Sequence, residues 1–357
     1  MGTAEEVGGR VKLVTIVGAR PQFVKAAPVS RALAEAGIEE ALVHTGQHHD
    51  AKMSQVFFDE LGIPAPRHNL EIHGGGHGDM TGRMLMALEP VVMAEQPDMV
   101  LVYGDTNSTL AGALVAAKLN IPIAHVEAGL RSFNRRMPEE TNRILTDHVS
   151  TLLLCPTRTA VQNLAAEGIT RGVHLVGDVM YDATLLARRI AESRSTILGA
   201  LGLEPAAYAL ATVHRAENTD DPARLATILD WLRDHAREQH VVLPIHPRTQ
   251  ARAAAAGLSF DCIVTCEPVG YIDMACLLGH ANAVYTDSGG VQKEAYFHRT
   301  PCVTLRDETE WVETVACGWN RLWQGPDYLP RRDIADYGEG RAAEAIVALV
   351  QQVARAG

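Results

Sequence analysis

Residues 121–143 read IPIAHVEAGLRSFNRRMPEETNR. The opening run is apolar and partly β-branched, the pattern of a buried strand. That strand closes on an acid, Glu127. Arginines follow, and a second acidic pair, Glu139 and Glu140, stands just after Pro138. A carboxylate at the end of a buried strand must find a partner or change its ionisation. In open parallel sheets, ligands bind beyond the carboxyl ends of the strands, so what stands at each strand end becomes the question.

Working outward, similar short runs recur along the chain. KLVTIVG, EEALVHTG, DMVLVYGD, IPIAHVEA, STLLLCPT and GVHLVGD come first, and AYALATVH, HVVLPIHP, DCIVTCEP, NAVYTDS and TPCVTL follow. Between them lie helix-like segments such as VKAAPVSRALAEAG and DPARLATILDWLRDHARE. Strand and helix in alternation imply parallel sheets covered by helices. The long segment DATLLARRIAESRSTILGALG separates six strands from five. The expectation is an α/β chain of two facing Rossmann-like domains with a cleft between them: residues 1–180, residues 181–335, and a last helix over 336–357 that packs back on the first domain.

The size agrees, since 357 residues exceed what one core usually serves. Hydrophobic residues make up 47% and aromatic ones 5%, so Ala, Val and Leu build the core. No apolar window is long enough for a membrane span. The start, MGTAEEVGGR, reads as a polar, flexible leader without an export pattern. A net charge of −11 and the absence of a long basic run exclude a nucleic-acid backbone as partner. The six cysteines form no C-x-x-C pair, which points to reduced core thiols in a cytoplasmic protein and to no metal site.

The strand ends carry an unusual set of side chains. KLVTIVG leads into Arg20, with Lys25 one turn later; ALVHTG leads into Gln47 and His48; VLVYG ends in Asp105 and IAHV in Glu127. In the second half LATV ends in His214, VLPI in His246, and AVYT in Asp287-Ser288-Gly289-Gly290. Each has a plainer explanation. Asp105 suits a helix cap, and His125 a satisfied core histidine. Glu139 suits a helix N-terminus, and Glu140 a helix-surface acid or a support for its neighbour.

TDSGGVQKEA is more specific. Glycines where a strand turns into a helix let backbone N–H groups approach phosphate oxygens closely. Glu294, one turn on, suits ribose hydroxyls or solvent. Arg20 and Lys25 are cations suited to a diphosphate. There is no G-x-G-x-x-G after the first strand and no G-x-x-x-x-G-K-[ST], so a dinucleotide oxidoreductase and a P-loop nucleotidase are disfavoured.

GARPQFVKAAP, HTGQHHD, VYGDTNSTLAG, HVEAGLRSFNRRMPEETNR, TVHRAEN and TDSGGVQKEA occur in that order, from about Val11 to the last helix. The chain in this respect resembles the non-hydrolysing UDP-N-acetylglucosamine 2-epimerases, whose fold is the two-domain type of glycosyltransferase B and glycogen phosphorylase. The resemblance implies catalytic roles for Asp105, Glu127, Glu139 and His214. It implies UDP-sugar contacts from Arg20, Lys25, Ser288, Gly289, Gly290 and Glu294, and a second, activating nucleotide-sugar site near Gln47 and His48. It also implies a homodimer and no cofactor. Trp311 stands where many members have arginine, and Val269 and Met274 where many have Gln and Phe. IHGGGHGDMTGRML and TVHRAENTDDP look most like a branch acting on UDP-2,3-diacetamido-2,3-dideoxyglucuronate (UDP-GlcNAc3NAcA). Arg135 and Arg136 suit that sugar's carboxylate, or plain solvation.

The C2 hydrogen of a 2-acetamido sugar is not acidic, since no carbonyl adjoins it. The family's implied route expels UDP from C1, removes the C2 proton to leave a 2-acetamidoglucal, and re-adds UDP after protonation on the other face. That needs acid–base groups around the ring and cations that retain UDP. The competing readings are a hydrolysing epimerase that releases UDP, a glycosyltransferase of the same fold, and a nucleotide-sugar sensor.

Overall fold

The computed structural model describes residues 10–47 and 58–354. Residues 1–9 of the expected leader, and His48, lie outside the described residues. The chain forms two compact units. One runs to Ala183 and resumes at Asp336; the other is Thr184–Ala335.

The first unit holds a parallel sheet of β1 (Lys12–Val17), β2 (Glu39–His44), β3 (His68–Asn69), β4 (Met99–Tyr103), β5 (Ile123–Val126), β6 (Leu152–Cys155) and β7 (Val173–Leu175), in the order β3-β2-β1-β4-β5-β6-β7. Strands buried on both faces read as continuous apolar runs, as β4 does: all five of its residues are buried. Val14, Ile16, Val100 and Val102 pack against Met84, Leu88 and Val92 of the helix His77–Glu95. β3 has only two residues, too few to show a period, and the sequence reading missed it.

The second unit holds β8 (Tyr208–Thr212), β9 (His240–Pro244), β10 (Ile263–Cys266), β11 (Ala283–Thr286), β12 (Cys302–Thr304) and β13 (Asn320–Leu322), in the order β10-β9-β8-β11-β12-β13, again parallel. Ala209, Ala211, Val241, Leu243 and Tyr285 meet Leu225, Ile228, Leu229 and Leu232 of the helix Pro222–Ala236. β13, three residues long, was also missed. The segment read as one long helix is two, Val179–Arg194 and Ile197–Leu201.

Each sheet reverses its order once, between β1 and β4 and between β8 and β11. Those are the topological switch points, where loops leave in opposite directions and open a crevice. Arg20, Lys25 and Asp105 follow β1 and β4, while His214 and Ser288 follow β8 and β11. The last helix, Ala342–Ala354, packs on the first helix, Arg20–Glu35. Its first N–H groups, from Ala342 and Ala343, donate to Asp182 at 3.1 and 2.9 Å. Burial pushes the Asp182 carboxyl up to about 6 despite those donors. No helix among the described residues is long and apolar enough to cross a membrane.

Candidate active site

Glu127 leaves β5 with φ +69°, a left-handed backbone that a glutamate rarely adopts. Such strain persists only where surrounding contacts enforce it. Its carboxylate is bonded to Lys25, and the two side chains are 8% and 16% exposed. Burial pulls the Lys25 ammonium down; Glu127, with Asp178 and Asp105 beyond, outweighs that and holds it above the usual lysine value. Gly104, at the end of β4, is also left-handed, and a Cβ there would lie 3.3 Å from Glu127 Oε2. Lys25, read from the sequence as a diphosphate contact, is thus engaged by a carboxylate.

Asp105 does not cap the next helix. Thr106 does, accepting from Thr109 N. The Asp105 carboxylate pairs instead with Arg143, which also reaches Glu140 Oε2 at 3.1 Å. Asn142 donates to the Asp105 carbonyl at 2.9 Å and to Asn107 Oδ1 at 3.1 Å. The helix Pro138–Val149 therefore holds Asp105 through two side chains.

Glu140 is not a surface acid. It is buried and accepts from Ser132 N at 2.9 Å, Ser132 Oγ at 2.8 Å and Phe133 N at 2.9 Å. Burial alone would raise its carboxyl; these donors and Arg143 bring it below the usual value. Glu140 thereby closes the loop that carries Arg135 and Arg136, both exposed. Glu139, in the first turn of the same helix, is half-buried. Among the described residues it has no hydrogen-bond or ion-pair partner.

Arg20 is the exposed first residue of its helix. The turn before it is fixed by buried Gln22, whose Oε1 accepts from Gly18 N and Ala19 N at 2.8 and 3.0 Å and whose Nε2 donates to the Tyr103 carbonyl at 2.8 Å. Gln47, read as a second-site contact, spends its Oε1 on Ser108 N and Oγ at 3.1 and 2.8 Å.

In the second unit, buried Asp287 organises the loop after β8. It accepts from His214 N at 3.0 Å, Arg215 N at 2.9 Å and Asn218 Nδ2 at 3.1 Å, and its Oδ1 lies 3.3 Å from His214 Nδ1. The His214 ring stays 43% exposed, so its other nitrogen can reach a ligand. Ser288 caps the helix Gly289–Phe297, its Oγ accepting from Val291 N. A Cβ on Gly289 would come within 2.2 Å of Glu310 Oε1 and 3.2 Å of Trp311 Nε1, whereas on Gly290 it would meet only Ser288 Oγ, at 3.9 Å. Glu294 is half-buried and accepts from the Tyr271 hydroxyl at 3.4 Å. Trp311 stacks under the Lys293 ammonium, 4.4 Å from the ring centre. Val269 and Met274 pack at the edge of the core.

A family model for UDP-N-acetylglucosamine 2-epimerase matches residues 31–351. The chain belongs to the UDP-N-acetylglucosamine 2-epimerase family. It is 56% identical to the UDP-2,3-diacetamido-2,3-dideoxy-D-glucuronate 2-epimerase of Pseudomonas aeruginosa over 317 residues, 87% of this chain and 88% of that one. The UDP-GlcNAc 2-epimerase of Methanocaldococcus jannaschii superposes with a TM-score of 0.87 at 41% identity, covering 96% of this chain and 100% of that one. Its complex with UDP-GlcNAc and UDP matches with a TM-score of 0.80 at 42% identity and the same coverage.

Within this epimerase family frame, the sequence reading missed Arg143, Gln22 and Asp287 as organisers of the site. Arg143 had a signal: it stands three residues after Glu140 on a helix, the spacing of a facing pair. Gln22 had one too, its place three residues after Ala19 at a helix start; Asp287 had none, because its partner His214 is 73 residues away. Among the described residues no group of three or more His, Cys, Asp or Glu could hold a metal ion.

Proposed function

We propose that this chain inverts C2 of a UDP-2-acetamido sugar by eliminating UDP and adding it back. The observation that carries the reading is the set of carboxylates at and beside the switch point of the first sheet. Asp105 and Glu127 end adjacent strands, each faced by a cation, and Glu139 stands in the first turn of a helix without a partner among the described residues. Glu127 and Asp105 take and deliver the C2 proton. Glu139 stabilises positive charge at the ring, and Lys25 and Arg143 hold the two acids in position.

In the second unit, Ser288, Gly289 and Gly290 present main-chain N–H groups to the diphosphate, and Glu294 accepts from the ribose. His214, with Nδ1 turned to Asp287, supports the leaving phosphate through Nε2. Arg20 adds charge for UDP while it is detached. The 56% identity to the Pseudomonas aeruginosa enzyme favours the diacetamido glucuronate over UDP-GlcNAc as substrate, with exposed Arg135 and Arg136 receiving the carboxylate. The reading includes a homodimer in the cytoplasm, where the six free cysteines stay reduced.

The test is incubation with each UDP-sugar in deuterated water, followed by NMR at C2. Deuterium at C2 in a gluco/manno mixture still bound to UDP is the expected result. UDP released one-for-one with free sugar would make the enzyme a hydrolysing one, and no label with either sugar would end the reading.

A further inference from the structure

We propose that His125 is a doubly protonated positioning residue that sets the ends of β4 and β5 and, with them, Asp105 and Glu127. This rests on the epimerase reading for its effect on turnover, and on the structure alone for its geometry.

His125 lies in the interior of β5 and is wholly buried. Its Nε2 is 2.7 Å from the Gly104 carbonyl oxygen, and its Nδ1 is 2.7 Å from Asp147 Oδ1. A carbonyl oxygen only accepts, so Nε2 carries a hydrogen. The other oxygen of Asp147 accepts from Arg131 Nη1 at 2.7 Å and Gly129 N at 3.1 Å. A carboxylate with those donors is ionised, and Nδ1 therefore donates as well. The ring is an imidazolium with both N–H groups committed.

What it holds is the peptide that leads into Asp105. The Gly104 carbonyl belongs to the Gly104–Asp105 peptide, and Gly104 N donates to the Val126 carbonyl at 2.9 Å. The turn is thus tied to β5 on both sides, by main chain below and by the His125 ring above. Glu127 is two residues after His125, and its left-handed backbone is the continuation of the same clamp. A neutral ring would leave either the part-buried Gly104 carbonyl or the wholly buried Asp147 carboxylate without its donor. Losing the clamp lets two reacting carboxylates drift, and a misplacement near 1 Å costs about a hundredfold in rate.

The experiment uses ¹⁵N-histidine-labelled protein and two substitutions. In the wild type at neutral pH, one histidine should show hydrogens on both ring nitrogens in slow exchange with solvent, and that pair should vanish in His125→Gln. A glutamine places its amide donor near the Nε2 position and an asparagine near Nδ1. His125→Gln should therefore keep the Gly104 contact and most of kcat, while His125→Asn should lose about a hundredfold in kcat at unchanged KM and unchanged UDP affinity. A role in stability alone would affect both variants alike. A singly protonated His125 in the wild type overturns the proposal, and that spectrum decides even if neither variant folds. Equal, near-normal kcat in both variants also overturns it. Wild-type protein that exchanges no C2 hydrogen would sink the epimerase reading instead, leaving the doubly protonated ring to stand or fall on the spectrum.

Discussion

Lys25, one turn into the first helix, is bonded to the carboxylate of Glu127 at the end of β5, 102 residues away. The pair is mostly shielded from water, so each side chain needs the other. Glu127→Gln keeps the shape and removes the base. Turnover should fall by roughly a hundredfold or more while UDP still binds. Comparing kcat with the calorimetric affinity for UDP checks this.

Lys25→Met leaves Glu127 buried without its cation, which should cost about 3 kcal/mol in urea unfolding. The pH dependence follows from the sign of the shift. The Lys25 ammonium is held above its usual value in the folded protein. Its contribution is therefore complete below the usual lysine value and is lost as pH rises through the folded one. The gap in Tm between wild type and Lys25→Met should be constant at neutral pH and shrink on the alkaline side of about 10.5.

Asp182 gives the opposite window. Its folded carboxyl titrates at about 6, above the usual aspartate value. The folded state thus takes up a proton that the unfolded chain does not, and stability rises as pH falls from about 6 towards 4. Asp182→Asn should erase that slope, measured as Tm against pH. Asp182→Ala, which also removes the acceptor for Ala342 N and Ala343 N, should cost about 1 kcal/mol at neutral pH and loosen the last helix, read by hydrogen exchange.

Gly290 separates folding from ligand binding. A methyl group there meets nothing closer than Ser288 Oγ at 3.9 Å. Gly290→Ala should fold with an unchanged Tm yet weaken UDP by about tenfold or more, because the main chain can no longer approach a phosphate closely. In Gly289→Ala the new methyl group would also displace the end of the exposed Glu310 side chain.

Arg143 bridges Asp105 and Glu140. Arg143→Lys replaces the planar fork, which reaches the two acids through separate nitrogens, by a single point charge that cannot fix both in the same geometry. Turnover should drop by about a hundredfold with little change in KM, as Asp105 loses its orientation.

Much of the architecture is legible because it depends on local pattern. Runs such as DMVLVYGD and HVVLPIHP are apolar throughout, which only a strand covered on both faces tolerates. β3 has only two residues, and β13 reads NRL, two polar residues before one apolar, so neither shows an apolar run. The candidate site was legible as a set of residue types at strand ends, since the carboxyl edge of a parallel sheet is where ligands bind. Glu140 misled: its place in a helix's first turn suggests solvent, and only the fold brings Ser132 and Phe133 back onto it.

The sequence by itself determined the alternation of strand and helix, the acids and histidine at the strand ends, and the glycine pair where β11 becomes a helix. These follow from burial and backbone sterics acting over a few residues. Only the tertiary structure decided the pairing: Lys25 with Glu127, Arg143 with Asp105, Asp287 with the His214 loop, and His125 between Asp147 and Gly104. Electrostatic and hydrogen-bond partners are chosen by distance in space, and strand order, which no local pattern encodes, sets that distance.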